Sequence, residues 1–109
     1  MNKIINLEDF RTPKSKVFTG RDRGIKVRTL SKIDSLEGKY DKISIVIPED
    51  IGSINSSFLE EFLVNVVTKL GKNEFYSKFE FINNGPYKIT ADLKEAVERI
   101  LRNKTALIY

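Results

Sequence analysis

Three serines lie close together in the segment IPEDIGSINSSFLEEF, where a buried-strand pattern gives way to a helical one. They are Ser53, Ser56 and Ser57. A serine hydroxyl can accept a phosphoryl group, and the unpaired backbone N–H groups at a helix start stabilise the negative charge that it brings. Such a group would also change a partner surface built on Ile54 and Phe58. The alternative is structural, because serine commonly caps helices and fills tight turns.

Other kinds of chemistry are restricted by composition. The chain has 109 residues and contains no His, no Cys and no Trp. Zinc fingers, disulfides and nucleophilic sites that need imidazole or thiol are therefore excluded. Two acidic pairs remain, Glu49-Asp50 in a loop and Glu60-Glu61 on a helix. A loop pair has no fixed geometry, and neighbours on a helix point about 100° apart. We expect no catalytic activity, no metal site and no cofactor.

The net charge of +4 is unevenly distributed. The first 42 residues carry 11 basic and 6 acidic groups, whereas residues 43–109 carry 8 and 9. Arg21, Arg23, Lys26 and Arg28 form the centre of the basic part, which predicts either a solvated face or contacts with nucleic acid or an acidic partner. No phosphate-binding glycine motif or nucleic-acid-binding signature accompanies them.

Hydrophobic periodicity predicts alternating strands and helices. The predicted strands cover residues 3–7, 42–47 and 78–83, and the predicted helices cover residues 57–70 and 91–102. The run KISIVI at 42–47 is typical of a central strand buried on both faces. The strand at 78–83 lies nearer an edge, which would allow a homodimer through strand pairing.

Two helix starts depend on local signals. A helix from Thr19, with Thr19 as N-cap, would place Ile25 and Leu30 inward together with Ile33 and Leu36, although residues 25–28 also alternate like a strand. Ser57, with Glu60 three residues later, forms a capping-box pattern, and Gly71 marks the expected end of that helix. The chain is predicted to be one α/β domain over residues 1–109, with a small mixed or parallel sheet of about four strands covered by about three helices.

The basic opening FTGRDRGIKVR, the buried strand, SINSSFLEEF and the late strand KFEFINN together resemble the STAS-like family of small prokaryotic domains. The resemblance covers residues 17–102. That family is similar to the STAS domains of anti-sigma factor antagonists, in which a partner kinase phosphorylates the first serine of an Asp-Ser-Ser-Gly motif. In this chain the motif falls on Asn55, Ser56, Ser57 and Phe58, so the resemblance implies phosphorylation at Ser56. Asn55 and Phe58 depart from the motif's aspartate and glycine.

These observations predict a non-catalytic regulatory module that docks a protein partner, such as an ATP-binding kinase-like regulator, through the loop at residues 49–57 and the following helix. The expected contact residues are Ser53, Ile54, Asn55, Ser56, Ser57, Phe58 and Glu61. The alternatives are a nucleic-acid or nucleoprotein-binding protein that uses residues 10–32, and a phage-type inhibitor that covers a surface of a larger complex. No apolar stretch suits a membrane span or signal peptide, which predicts a cytoplasmic protein.

Overall fold

The computed structural model describes the backbone of residues 1–106 and the side chains of residues 1–103. It is an α/β structure with parallel sheets, which confirms the predicted class. The strands are β1 (Asn2–Asn6), β2 (Val17–Phe18), β3 (Lys42–Ile47), β4 (Ser53–Ile54) and β5 (Phe79–Asn83). The helices are α1 (Arg21–Ser31), α2 (Ile33–Glu37), α3 (Ser56–Lys78) and α4 (Thr90–Ala106), and a short 3₁₀ helix spans Leu7–Phe10.

Strand β3 is central in a three-stranded parallel sheet with the order β1-β3-β5. Its predicted position is confirmed, as is the edge position of β5. Ile45 aligns with Ile5 of β1 on one side and with Phe81 of β5 on the other. The second sheet is a two-residue parallel pair between β2 and β4. Both crossovers of the larger sheet contain helices, which is how parallel neighbours are normally connected.

Only one face of the larger sheet is fully covered. Ile43, Ile45 and Ile47 point into the core, whereas Ser44 and Val46 on the other face are half-buried. Ile4, on that same outer face, is 62% exposed. The prediction that β3 is buried on both faces is therefore wrong. An uninterrupted β-branched run does not reveal how many sides of a sheet the helices cover.

Helix α1 resolves the ambiguous segment, but its cap and its inward face differ from the prediction. Gly20, with a φ of 87°, occupies the N-cap position instead of Thr19. Ile25 and Leu30 are 41% and 55% exposed, because the stripe that contains Gly24 and Val27 faces α3. Gly24 lets the two helix backbones approach closely, and this contact sets the rotation of α1 about its axis.

Helix α3 spans Ser56–Lys78 and consists of two helical segments that meet at a kink. The kink lies at Gly71, whose backbone is not helical (φ 79°, ψ 172°), so the predicted end of the first segment is confirmed, and a second segment follows it to Lys78. The predicted capping box is wrong. The N-cap is Asn55, whose side chain accepts a hydrogen bond from the Phe58 N–H, and Glu60 is buried in an ion pair with Arg99.

A buried carboxylate joins α2 to both parts of α3. Glu37 lies 2.7 Å from Lys69 Nζ and 2.9 Å from Lys78 Nζ, and its side chain is only 5% exposed. Burial raises the pKa of Glu37, but the hydrogen bonds and charges of the two lysines outweigh this effect and lower it overall. The ionised carboxylate is thus the form that stabilises this packing.

Glu37→Gln is expected to lower the free energy of unfolding at neutral pH by about 1–2 kcal/mol, since a charged hydrogen-bond partner is lost while Lys69 stays accessible to water. Because the folded-state pKa is lowered, the contribution of Glu37 is fully present above the unfolded pKa of about 4.3 and disappears as the pH falls through the folded-state value. In urea denaturation at a series of pH values, the difference in the free energy of unfolding between wild type and variant should disappear in acid. Glu74→Gln, at an exposed position, is the control, and a pH-independent gap for Glu37→Gln would contradict the prediction.

Candidate functional site

Backbone hydrogen bonds to strand β2 and the residue before it hold the loop that leads into α3. The Gly52 N–H donates to the Lys16 carbonyl at 2.7 Å, and the Asn55 N–H donates to the Phe18 carbonyl at 3.1 Å. Between these bonds, Ser53 aligns with Val17 in the parallel pair of β4 and β2. The backbone of the predicted docking loop is therefore held as part of a sheet.

Asn55 and Ser57 complete the start of α3. The Asn55 Oδ1 atom accepts from the Phe58 N–H at 3.1 Å and from the Ser57 hydroxyl at 2.8 Å. This is the capping role that asparagine performs well, because it satisfies an N–H group that has no partner within the helix. Ser57 thus takes part in the helix start by donating to Asn55, but it is not the cap that the structural alternative predicted.

Ser56 differs from its neighbour. It is the first residue of α3 and is half-buried, and no hydrogen bond from its hydroxyl is found within the described part of the chain. The hydroxyl stands at the end of the helix where the backbone N–H groups and the helix dipole favour negative charge. Of the two serines in the motif, Ser56 is the one whose hydroxyl has no hydrogen-bond partner among the described residues.

Two of the predicted contact residues belong to the core. The side chains of Ile54 and Phe58 are both 0% exposed. The Phe58 ring lies between Phe18 and Phe62, with centroid distances of 5.2 and 5.7 Å. The prediction that Ile54 and Phe58 contact a partner does not fit this burial. Their side chains anchor the loop in the core. The residues at its surface are Asn55, which is exposed, and Ser53, Ser56, Ser57 and Glu61, which are half-buried.

Tyr87 also holds this loop in place, and the sequence did not predict that role. Its hydroxyl lies 2.7 Å from the Ile54 carbonyl oxygen and 2.5 Å from Asp92 Oδ2. Burial, together with the hydrogen bond to Asp92, raises the pKa of Tyr87 well above its ordinary value. A tyrosine in the connection between β5 and α4 follows no periodic pattern, so no local signal identifies it.

The other end of the loop is clamped by an arginine. Arg11 contacts both carboxylate oxygens of Asp50, at 2.8 and 3.0 Å, and also pairs with Glu8. The hydrogen bond from Arg11 lowers the pKa of Asp50. Next to this clamp, a side chain at Gly85 would meet the Glu49 carbonyl oxygen, so a glycine lets the two loops pack backbone to backbone. Residues 49–57 are held along their whole length.

The four predicted nucleic-acid contacts do not form one free basic surface. Arg21 pairs with Glu61 at 3.4 Å, and Arg28 donates to the Glu61 carbonyl at 2.6 Å. Arg23 is half-buried and Lys26 is exposed. Because α1 packs against the acidic start of α3, part of the N-terminal positive charge is neutralised within the fold.

Glu60 and Glu61 connect three helices through these contacts. Glu60 is 6% exposed and lies 3.2 Å from Arg99 of α4 and 3.7 Å from Arg21 of α1. Both carboxylates of the predicted acidic pair therefore form ion pairs with arginines of other helices. Within residues 1–106, no cluster of three or more acidic residues has the arrangement of a metal site.

Comparisons of the chain with protein-family models, with curated proteins and with solved structures find no match. The resemblance to the STAS-like family accordingly stays a prediction that rests on the motifs themselves. In the described part of the chain, no helix combines the length and the apolar character that crossing a membrane requires.

Proposed function

We infer that this domain is a non-catalytic regulatory module that docks a protein partner through the surface around Ser56. The observation that carries this proposal is the contrast between a loop held by hydrogen bonds and a serine hydroxyl, at the first residue of α3, that no described residue binds. The Ser57 hydroxyl is bound by Asn55, whereas Ser56 has no such partner among the described residues. A preformed loop of this kind loses little conformational entropy on binding, which favours recognition.

Phosphorylation of Ser56 is the switch that we assign to this surface. The Ser56 oxygen would attack the terminal phosphorus of ATP on an ATP-binding kinase-like partner, forming the phosphate ester and releasing ADP, while the hydroxyl proton passes to a base of that partner. The product would carry roughly −1.5 to −2 charges at the start of α3, where the helix dipole stabilises them. The helix would therefore tolerate the group while the partner surface changes.

The direct test combines mass spectrometry with binding measurements. We expect the wild-type protein, incubated with ATP and purified kinase-like regulators encoded near it, to gain the mass of one phosphoryl group on Ser56. Ser56→Ala should gain none. In binding assays, Ser56→Asp should weaken docking about tenfold or more relative to Ser56→Ala, because a negative charge then replaces a neutral hydroxyl on the docking surface.

Ser35→Asp is the matched control, since Ser35 is exposed on α2 and lies outside the loop surface. Aspartate is favourable in the first turn of a helix, so neither substitution should unfold the domain. Equal binding by Ser56→Ala, Ser56→Asp and Ser35→Asp, or labelling of a serine other than Ser56, would contradict the assignment.

A further inference from the structure

A groove with a volume of about 450 Å³ lies beside β5, far along α3 from the Ser56 loop. Its lining is mostly apolar, with Phe79 and Phe81 from β5, Ile89 from the residue just before α4, and Leu93 from α4 itself. Tyr76 of α3 also lines it and is 41% exposed. Binding sites in proteins commonly have volumes of about 300–1,000 Å³ and apolar linings.

The groove exists because α4 packs along α3 instead of covering β5. Contacts between α3 and α4 are extensive, while contacts between α4 and β5 are few within the described chain. The kink at Gly71 directs the last turns of α3 toward β5, where Phe75 stacks on Phe79 at a centroid distance of 5.0 Å. Among the described elements, no helix packs closely over the edge of the sheet beyond these rings.

Strand β5 also has a free backbone edge. It pairs with β3 on one side, and no described strand pairs with its other side. An edge strand presents a row of N–H and C=O groups that a further strand can bond. The apolar groove and the free edge lie side by side, and together they provide what strand addition needs: main-chain pairing and pockets for alternate side chains.

The charged side chains that line the groove are both lysines. Lys72 and Lys94 line it and are exposed, no acidic side chain lines it, and neither lysine forms an ion pair with a described residue. We propose that an extended segment of a partner protein binds here as a fourth strand beside β5. Its apolar side chains enter the groove, and acidic residues at its ends meet Lys72 and Lys94. This proposal does not depend on Ser56.

Charge complementarity favours such a partner over a second copy of this chain. A copy that paired through the same edge would bring its own Lys72 and Lys94 into the interface, and like charges in an interface weaken binding. An acidic segment supplies the missing opposite charge instead. The occupant is therefore a different protein with an acidic, β-forming segment.

A designed peptide tests this with the whole protein. The probe is a fluorescein-labelled peptide of about eight residues, the length of an ordinary strand, in which alternating isoleucine and threonine are flanked by glutamates. We expect saturable binding in fluorescence anisotropy, and Lys72→Glu combined with Lys94→Glu should weaken it about tenfold. A peptide flanked by lysines should show the reverse preference. Both lysines are exposed, so the variants should fold, as circular dichroism would verify.

Methylated peptides separate strand pairing from simple apolar contact. Methyl groups on one set of alternate backbone nitrogens face β5 and remove its hydrogen bonds, while the same groups on the other set face away. We expect one methylated peptide to lose binding and the other to keep it. Loss of binding to the same extent by both, or no effect of either, would overturn strand addition.

Three further outcomes would also overturn the proposal. The first is no saturable binding of the acidic peptide to the wild-type protein, and the second is equal binding by the double lysine variant. The third is a concentration-dependent dimer in analytical ultracentrifugation that the acidic peptide does not dissociate, which would assign the edge to a second copy. Binding that is unchanged in Ser56→Asp would show that the two surfaces act separately.

Discussion

Replacing Gly24 with alanine is expected to lower the free energy of unfolding by about 2 kcal/mol. A Cβ atom at this position would lie 2.4 Å from the Phe58 carbonyl oxygen and 2.9 Å from the Glu61 Cβ atom. Both contacts are with α3, and one is with its backbone, so no side-chain rotation relieves them. Helix α1 would have to move away by about 1 Å, and overpacking of this kind costs about 1–3 kcal/mol or more.

The sign of this effect is informative because helix propensity acts in the opposite direction. Alanine is favoured over glycine in a helix interior by about 1 kcal/mol, so an exposed glycine replaced in the same way would stabilise the protein. Thermal and urea denaturation should show a melting temperature lower by about 10 °C for a loss of this size. A more stable Gly24→Ala protein would refute the close approach of α1 and α3.

Gly38→Ala is the matched control for this prediction. Gly38 has a φ of −75°, which any residue adopts, and its nearest atom to an added Cβ is the Ser35 carbonyl oxygen at 3.6 Å. We expect this substitution to be neutral or to stabilise the protein by up to about 1 kcal/mol through the unfolded state. Comparison of the two variants thus distinguishes the lack of space for a side chain at Gly24 from the effect on the unfolded state that Gly38→Ala isolates.

Truncation of Phe58 to alanine is expected to have the largest effect, a loss of about 3–5 kcal/mol. The ring is fully buried between Phe18 and Phe62, and the residue also donates its backbone N–H to the Asn55 cap. Such a loss approaches the whole stability of many domains. Phe58→Leu, which fills most of the space, should cost less than about 1.5 kcal/mol and should remain folded.

Ile4→Ala is the comparison for an exposed apolar residue. Ile4 is 62% exposed on the uncovered face of the sheet, so its truncation should change the free energy of unfolding by no more than about 0.5 kcal/mol. Urea denaturation of the three variants would establish the order. A Phe58→Ala protein as stable as Ile4→Ala would contradict the burial of Phe58 in the core.

The start of α3 illustrates how local patterns succeed and fail. The periodicity of the residues after Ser57 predicted the helix, and its start lies within one residue of the predicted position. The pattern also pointed to Ser57 and Glu60 as the capping pair, because that spacing is common at helix starts. Asn55 performs the capping instead, and Glu60 is held by Arg99, which lies 39 positions away in the chain.

The candidate site likewise combines a part that the sequence predicts with contacts that it does not. The loop at residues 49–57 could be located from the sequence, since a buried strand followed by serines and a helix is a local pattern. Its supports could not, because Arg11 and Tyr87 reach it from 39 and 33 positions away. Neither residue has neighbours in the chain whose spacing indicates these contacts.

The sequence by itself determined the α/β class, the central strand β3 and the absence of imidazole and thiol chemistry. These follow from composition and from side-chain spacing along the chain, which is 2 residues in strands and 3.6 in helices. The tertiary structure alone decided that Ile54 and Phe58 are too deeply buried to contact a partner, that Arg21 and Arg28 are paired, and that one face of the sheet is not fully covered. Those outcomes depend on how closely helices pack on one another and on the sheet. That packing arises from contacts between distant segments, and the spacing within one segment does not record it.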